Sequence, residues 1–439
     1  MTLIRKITGG LFTRKQKSSR TGRSVAIERL EPRELFSTYV VTTLANSGAG
    51  SLRQEVLNAN AHAGADVVTF SSELAGTITL TSGQITVSGG VSIKGPGAGR
   101  ITVSGNNKSR IFNITAGAAT PVAISGLTLT RGNPGSGAGG GAIQNYGALT
   151  LSGVVFSNNV AASITTNNSN THPAAFGGGG LMNYGTAGVT DCSFYNNAAY
   201  AHDADFLDGG GGIYNAGTLK VTRSVFHDNI ADESPSAPQN GPNTEPLPWG
   251  AAIYDNGKLT LTDSTLYGNY SNAGGALTVG PYASATVIND TIAANSSDYT
   301  GGIKLQDVYG GSSILHEGKL TIGNTIVAGN SVLIDPTLDD IGSLLGGSIT
   351  SLGNNLIGVT TASVWKLTDL TGTVASPLAA KLGPLANNGG PTKTAALLSG
   401  SPALNAGSNA IAANYGLTTD QRGVGRVRFG TVDIGAYES

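Results

Sequence analysis

The sequence predicts an all-β chain, a single-stranded right-handed parallel β-helix with a short N-terminal capping helix. Three observations predict it. A cassette recurs six times between Gly139 and Asn330: a glycine-rich step, a short apolar strand, a tight turn, a second short strand and an asparagine. Inside each cassette apolar residues alternate with a period of two, as in strands. Each copy is too short and too rich in glycine to bury a core by itself, so neighbours must supply it, as in a solenoid.

The cassettes read GGGAIQNYGALTLSGVVFSNN from Gly139, GGGGLMNYGTAGVTDCSFYNN from Gly177, GGGGIYNAGTLKVTRSVFHDN from Gly209 and WGAAIYDNGKLTLTDSTLYGN from Trp249. Looser copies end at Asn295 and Asn330. Closing asparagines at 159, 197, 229, 269, 295 and 330 are spaced by 38, 32, 40, 26 and 35 residues. The period varies while the cassette does not, so insertions of different length leave a constant coil.

Coils stacked roughly 4.8 Å apart bring equivalent side chains into columns. Leu219 with Val221, Leu259 with Leu261, and Leu320 with Ile322 point to one side of their strands. Phe156, Phe194, Phe226, Leu266, Ile292 and Val327 are expected to form an apolar column. Beside it lie the compact residues Val154, Cys192, Ser224, Ser264, Asp290 and Thr325, and the closing asparagines make a third column of amides bonded to one another. Interrupting glycines and abundant Val, Thr and Ile oppose long helices. A two-layer sandwich has no reason to repeat the order strand, turn, strand, Asn. Right-handedness follows from the usual chirality of parallel crossovers.

Four segments are expected in order. Residues 1–37 form a sorting or processing segment, 38–115 the capped entry, 116–335 the regular coils with long insertions, and 336–439 closing coils and a C-terminal cap. Leu52, Val56 and Leu57 lie on one side of the capping helix, which Asn60 and Gly64 can end. A cap is required because an open parallel edge invites pairing with another chain. SPALNAG, Ser401 to Gly407, is placed over the final apolar edge.

Composition narrows the function classes. Of 439 residues, 65 are glycine and only 12% are charged, and a regular Gly-X-Y period is absent, which excludes collagen. Residues 1–33 hold nine Lys or Arg against Glu28 and Glu31, which leaves 17 basic and 25 acidic residues beyond them, a balance of −8. An acidic body argues against nucleic acid as a partner. Cys192, the sole cysteine, excludes an internal disulfide and sits where a buried structural thiol is expected. No run reaches the roughly 18 apolar residues of a membrane span. Gly-x-Ser-x-Gly, His-Glu-x-x-His and phosphate-loop strings are absent, leaving nucleotide and zinc chemistry without support.

Three stretches carry a family resemblance. LEPRELFS, Leu30 to Ser37, resembles the LEPR-XLL motif near the start of large bacterial surface or exported proteins, with Leu35-Phe36 in place of two leucines. VTTLANSGAGSLRQEVLNANAHAGADVVTF, Val41 to Phe70, resembles the CSLREA-type segment that heads many bacterial parallel β-helix proteins, with Ser51 at its usual cysteine and Glu55-Val56 in place of Ala-Ile. LGPLANNGGPTKTAALLSGSPALNAGSNA from Leu382, followed by TDQRGVGRVRFGTVDIGAYES from Thr419, looks like the C-terminal part of choice-of-anchor Q β-helix proteins. The resemblance implies a β-helix that is secreted or at the cell surface, and no particular reaction.

The leading expectation is a monomeric surface protein with a structural, adhesive or glycan-binding role, its partner a polysaccharide or cell-envelope component. The alternative is a polysaccharide lyase or glycoside hydrolase. Candidate chemistry lies in and beside three long loops, Val160–Phe176, Ala198–Asp208 and Ile230–Pro248, which are expected to stack on one side. Asp203, Asp205 and Asp208 offer oxygens for a hard cation, which makes Ca²⁺ the candidate cofactor; a hydrated acidic loop is the plainer reading. Arg223 and His227 alternate outward as a candidate base and cation, and Asp205 with Asp232 is a candidate carboxylate pair. Tyr214, Tyr254 and Trp249 are candidate platforms for sugar rings. Tyr146 and Tyr184 hold nearly the same step, offset by one or two positions, and packed tyrosine columns are the competing reading.

Overall fold

The computed structural model describes residues 36–439 apart from 136–137, 163–176, 202–208, 234–248, 311–312, 335–338 and 344–347. The chain is a parallel β-helix. Among the described residues its parallel strands form one nine-stranded, two eleven-stranded and one six-stranded sheet, each stepping from coil to coil, beside two antiparallel pairs. One coil shows the plan: Ile143–Asn145, Ala148–Ser152, Val155–Ser157 and Val160–Ala162 contribute one strand to each sheet in turn. We call these the first to fourth sheets.

The fourth sheet corrects the expected loop limits. Val160–Ala162, Ala198–Ala201 and Ile230–Glu233 do not leave the coil at its asparagine but pair in register as strands. Ala161, Ala199 and Ala231 pack inward there. Small inward residues followed at once by an insertion leave too short an alternation to distinguish from a loop.

Inside, the expected columns form in register. Phe156, Phe194, Phe226, Leu266, Ile292 and Val327 are paired rung to rung in the third sheet. The three phenylalanine rings stack with centroids 4.3 and 4.6 Å apart and planes within 7°. Leu219, Val221, Leu259, Leu261, Leu320 and Ile322 line the interior from the second sheet.

The coil corners explain the polar columns. Between the second and third sheets one residue turns the chain at positive φ: Gly153, Asp191, Arg223, Asp263, Asn289, Asn324 and Asn354. Asn and Asp tolerate this region better than other L-residues, which leaves Arg223 as the unusual occupant. The next residue is buried and accepts a backbone N–H from the coil before: Cys192 from Val154, Ser224 from Cys192, Ser264 from Ser224, Asp290 from Ser264 and Thr325 from Asp290. Burial pushes the Cys192 thiol up to about 12, so it stays a thiol, donating to the Thr190 carbonyl.

At the corner between third and fourth sheets, Asn159, Asn197, Asn229, Asn269, Asn295 and Asn330 bond amide to amide, each Nδ2 donating to the next Oδ1 at 2.9–3.0 Å. Asn330 donates in turn to Asp340 Oδ1 at 2.8 Å. A second amide column joins Asn145, Asn183 and Asn215 and also ends on an aspartate, Asp255. One-way donation requires an acceptor at the end, which a carboxylate supplies. The glycine step demands glycine for a different reason: at Gly210, φ is +69° and a Cβ would lie 2.1 Å from the Ile213 carbonyl oxygen.

The entry is closed by the helix Leu52–Ala61, capped by the Ser51 side chain, which accepts from Gln54 N. Leu52, Glu55, Val56 and Ala59 face the first strands. Leu57, expected on that face, is 52% exposed, because one residue beyond Val56 turns about 100° away on a helix. Asn60 ties the helix end to the next coil through Thr86 O and Ser88 N.

The C-terminal segment departs from expectation. Leu382–Ser439, SPALNAG included, lies along the flank instead of over the last edge. Ala403 and Ile434 pack on Ile326 and Leu356, on the outer side of the third sheet. Gln421 accepts from Thr265 Oγ1 at 2.6 Å, and Ala436 N donates to Thr291 Oγ1 at 3.0 Å. Asp420 binds Arg422 and the Glu438 N–H, while the Arg422 guanidinium lies 3.6 Å from the Tyr437 ring centre. No described helix is long and apolar enough to cross a membrane.

Candidate functional site

The candidate residues of the Arg223 coil lie around successive corners. Arg223 sits on the second corner with φ +48°, and its Nε and Nη2 donate to the two carboxylate oxygens of Asp191 at 2.9 and 3.0 Å. Asp191 is the same corner one coil earlier. The fork-to-fork pair raises the Arg223 pKa and fixes the side chain along the helix axis. Its backbone carbonyl accepts from Thr392 in the C-terminal segment.

His227 ends the strand Val225–His227. Its imidazole stacks on Tyr195, the equivalent residue of the preceding coil, with centroids 5.2 Å apart and planes 8° from parallel. Nδ1 lies 2.7 Å from Asp228 Oδ2. Arg223 and His227 are thus at opposite ends of one strand, roughly 13 Å apart along the chain, each engaged with a different carboxylate.

Asp232 lies in the fourth sheet, paired with Tyr200 of the coil before and half-buried. It stands near Asp298, a carboxylate the sequence did not single out; burial raises the Asp298 pKa, and Asp232 adds to the effect. Asp203, Asp205 and Asp208 fall outside the described residues, so the Asp205–Asp232 pair and the Ca²⁺ loop have no described geometry. Among the described residues no group of three His, Cys, Asp or Glu is arranged to hold a metal ion.

Tyr214 and Tyr254 occupy one column of the first sheet and are 1% and 0% exposed. They pack with Met182 and the partly buried Trp249. The Tyr254 hydroxyl donates to Gln306 Oε1 at 2.9 Å. These three residues are a satellite apolar cluster, and neither tyrosine offers a ring face to solvent. Tyr146 and Tyr184 belong to a different column, one residue past the buried asparagines, and stack at 5.1 Å with Tyr146 53% exposed. The two-residue offset visible in NYG against IYN, tyrosine after the asparagine or before it, separates these columns.

The outer face of the third sheet holds what the sequence reading missed. Ser157, Tyr195, His227, Tyr267, Ala293 and Ala328 are successive rungs of one outward column. The signal was present in the residue after each Phe156-type position.

No family model matches the chain, and no curated protein does. Among solved structures, ORF18 of Geobacillus virus E2 is similar at 13% identity, with a TM-score of 0.25. The match covers 65% of this chain and 57% of that one, so the chain spans little more than half the length of that relative.

Proposed function

We propose that the protein is a secreted or cell-surface β-helix with a structural, adhesive or glycan-binding role, acting through its long flank and not through a reaction. The observation that carries this reading is the bidentate Arg223–Asp191 pair, which commits the best candidate base to joining two coils. His227 is engaged in the same way, by a ring one coil below and a carboxylate beside it. The LEPRELFS, VTTLAN…VVTF and SPALNAG…VDIGAYE stretches support the surface location through their resemblance to exported bacterial β-helix proteins. A rigid rod whose coils repeat every few ångströms suits a partner that is itself extended and repetitive, as polysaccharide is.

The test is retention on immobilised acidic and neutral polysaccharides, run beside assays for unsaturated or reducing ends with Ca²⁺ and with chelator. Retention without release of ends is expected. Turnover that disappears in Arg223→Ala would replace this reading with a lyase or hydrolase.

A further inference from the structure

The outward column of the third sheet changes character along its length. Tyr195 and His227 are parallel rings, and Tyr267 takes the next rung. The rungs after it are Ala293 and Ala328, and Gly358 follows Ile357 on the next coil. The column of rings stops at Tyr267, and the smaller residues beyond it leave room beside the Pro377–Pro384 stretch, whose Ala380 packs on Ala328.

That space is a groove of about 640 Å³, within the range of small-molecule sites. Tyr267 closes one end, Ala293, Ala328 and Gly358 make the floor, and the Pro377–Pro384 stretch makes the side wall. The Tyr267 hydroxyl has no hydrogen-bond partner among the described residues. Asp340 lines the groove at 4% exposure. Its Oδ1 accepts from Asn330 N and Nδ2, and its Oδ2 from Val359 N, which leaves one of about four lone-pair positions unspent, on Oδ2. A Cβ at Gly358 would come within 2.5 Å of that same oxygen, so glycine keeps the carboxylate open to the groove.

We propose that this groove binds a short stretch of uncharged glycan, with one pyranose ring stacked on Tyr267 in place of the missing rung and a sugar hydroxyl donating to Asp340. This deepens the glycan-binding reading above and rests on it. The class follows from the lining. Apolar Ala293, Ala328, Leu378 and Pro377 suit the C–H faces of sugar rings, and a buried carboxylate with an open lone pair accepts a hydroxyl while repelling a uronate. Lys381, the one cation among the described lining residues, is exposed at the rim.

Isothermal titration with cellohexaose, chitohexaose and hexagalacturonate tests this on the full chain, with melting curves to confirm that each variant folds. Tyr267→Ala removes the platform, Tyr267→Phe keeps it, Ala379→Trp blocks the groove from an exposed rim position, and Tyr146→Ala is a distant control. A neutral hexaose that binds wild type, Tyr267→Phe and Tyr146→Ala alike, and about tenfold more weakly to Tyr267→Ala and Ala379→Trp, supports the site. Neutral binding untouched by those two variants overturns the groove and leaves the glycan-binding reading standing. Binding of hexagalacturonate alone overturns the uncharged class. Absence of binding to all three overturns the groove proposal and the glycan-binding reading it rests on, leaving the structural and adhesive readings.

Discussion

Arg426 reaches Asp263, 163 residues earlier in the chain, and the two side chains form an ion pair only 1% and 4% exposed. Glu438 Oε2 lies 3.7 Å from the same guanidinium, and Arg426 Nη1 donates to the Gly435 carbonyl at 2.8 Å. Burial raises the Asp263 pKa, and the guanidinium opposes that rise. Removing one partner of a buried pair strands the other's charge. Arg426→Ala is therefore expected to cost about 3–5 kcal/mol, read as a lower urea midpoint. A loss under about 1 kcal/mol would show that the C-terminal segment docks without this pair.

Stability should fall as pH rises from 5 to 8. Burial pushes Asp255 and Glu438 up to about 7 and Asp340 up to about 6. The folded state therefore holds protons that the unfolded chain releases near pH 4. Their contribution is complete below that value and disappears as pH climbs through 6–7. Asp255→Asn, which mimics the neutral acid, should melt close to wild type at pH 5 and above it at pH 8. A melting temperature that rises across this range would refute the assignment.

The amide column predicts a signed difference between two substitutions. Asn229 Oδ1 accepts from both Asn197 N and Asn197 Nδ2, so Asn229→Ala orphans two buried donor contacts, at about 2–4 kcal/mol. Asn229→Asp keeps those acceptors but loses the donation to Asn269 Oδ1 and the Phe194 carbonyl. It also buries a carboxyl in mid-column. Denaturant titrations at pH 5 and pH 8 should show the Asp variant weakening at the higher pH while the Ala variant keeps a constant deficit.

Arg223 combines a strained backbone with a useful side chain. Both Arg223→Ala and Arg223→Gly lose the Asp191 pair, but only alanine keeps the cost of positive φ. Glycine should be the more stable of the two by about 1 kcal/mol, measured by chemical denaturation. Equal stabilities would mean that the corner relaxes in the variants.

Much of the coil was legible in the sequence, because regular recurrence encodes it. The Phe156 and Asn159 columns follow from alternation plus a fixed cassette, and the structure pairs them rung for rung. The fourth sheet was not legible, since strands such as Val160–Ala162 run only three residues before an insertion begins. Tyr214 misled because it stands one residue before its column asparagine and Tyr184 one residue after, an offset of two that puts Tyr214 in the buried column of Met182. Arg223 and His227 do turn away from the interior, as alternation implied, yet their partners on the preceding coil, Asp191 and Tyr195, become visible only once coils are aligned. The docking of Leu382–Ser439 has no periodic signal, because scattered contacts make it across separations from 52 to 197 residues.

That docked segment grips five successive corners. Thr392 holds Arg223, Arg426 holds Asp263 and reaches the Asn289 carbonyl, Ser408 and Gly435 hold Asn324, and Asn354 bonds Ala406 O. Each grip is specific to its rung, so the tail acts as a ruler laid against the rod. Between Arg223 and Asn354 the coil count is fixed, because one coil more or fewer would put every later mark out of step. Among the described residues these marks are absent before Asp191, and there the rod can lengthen or shorten by whole coils without losing its measure.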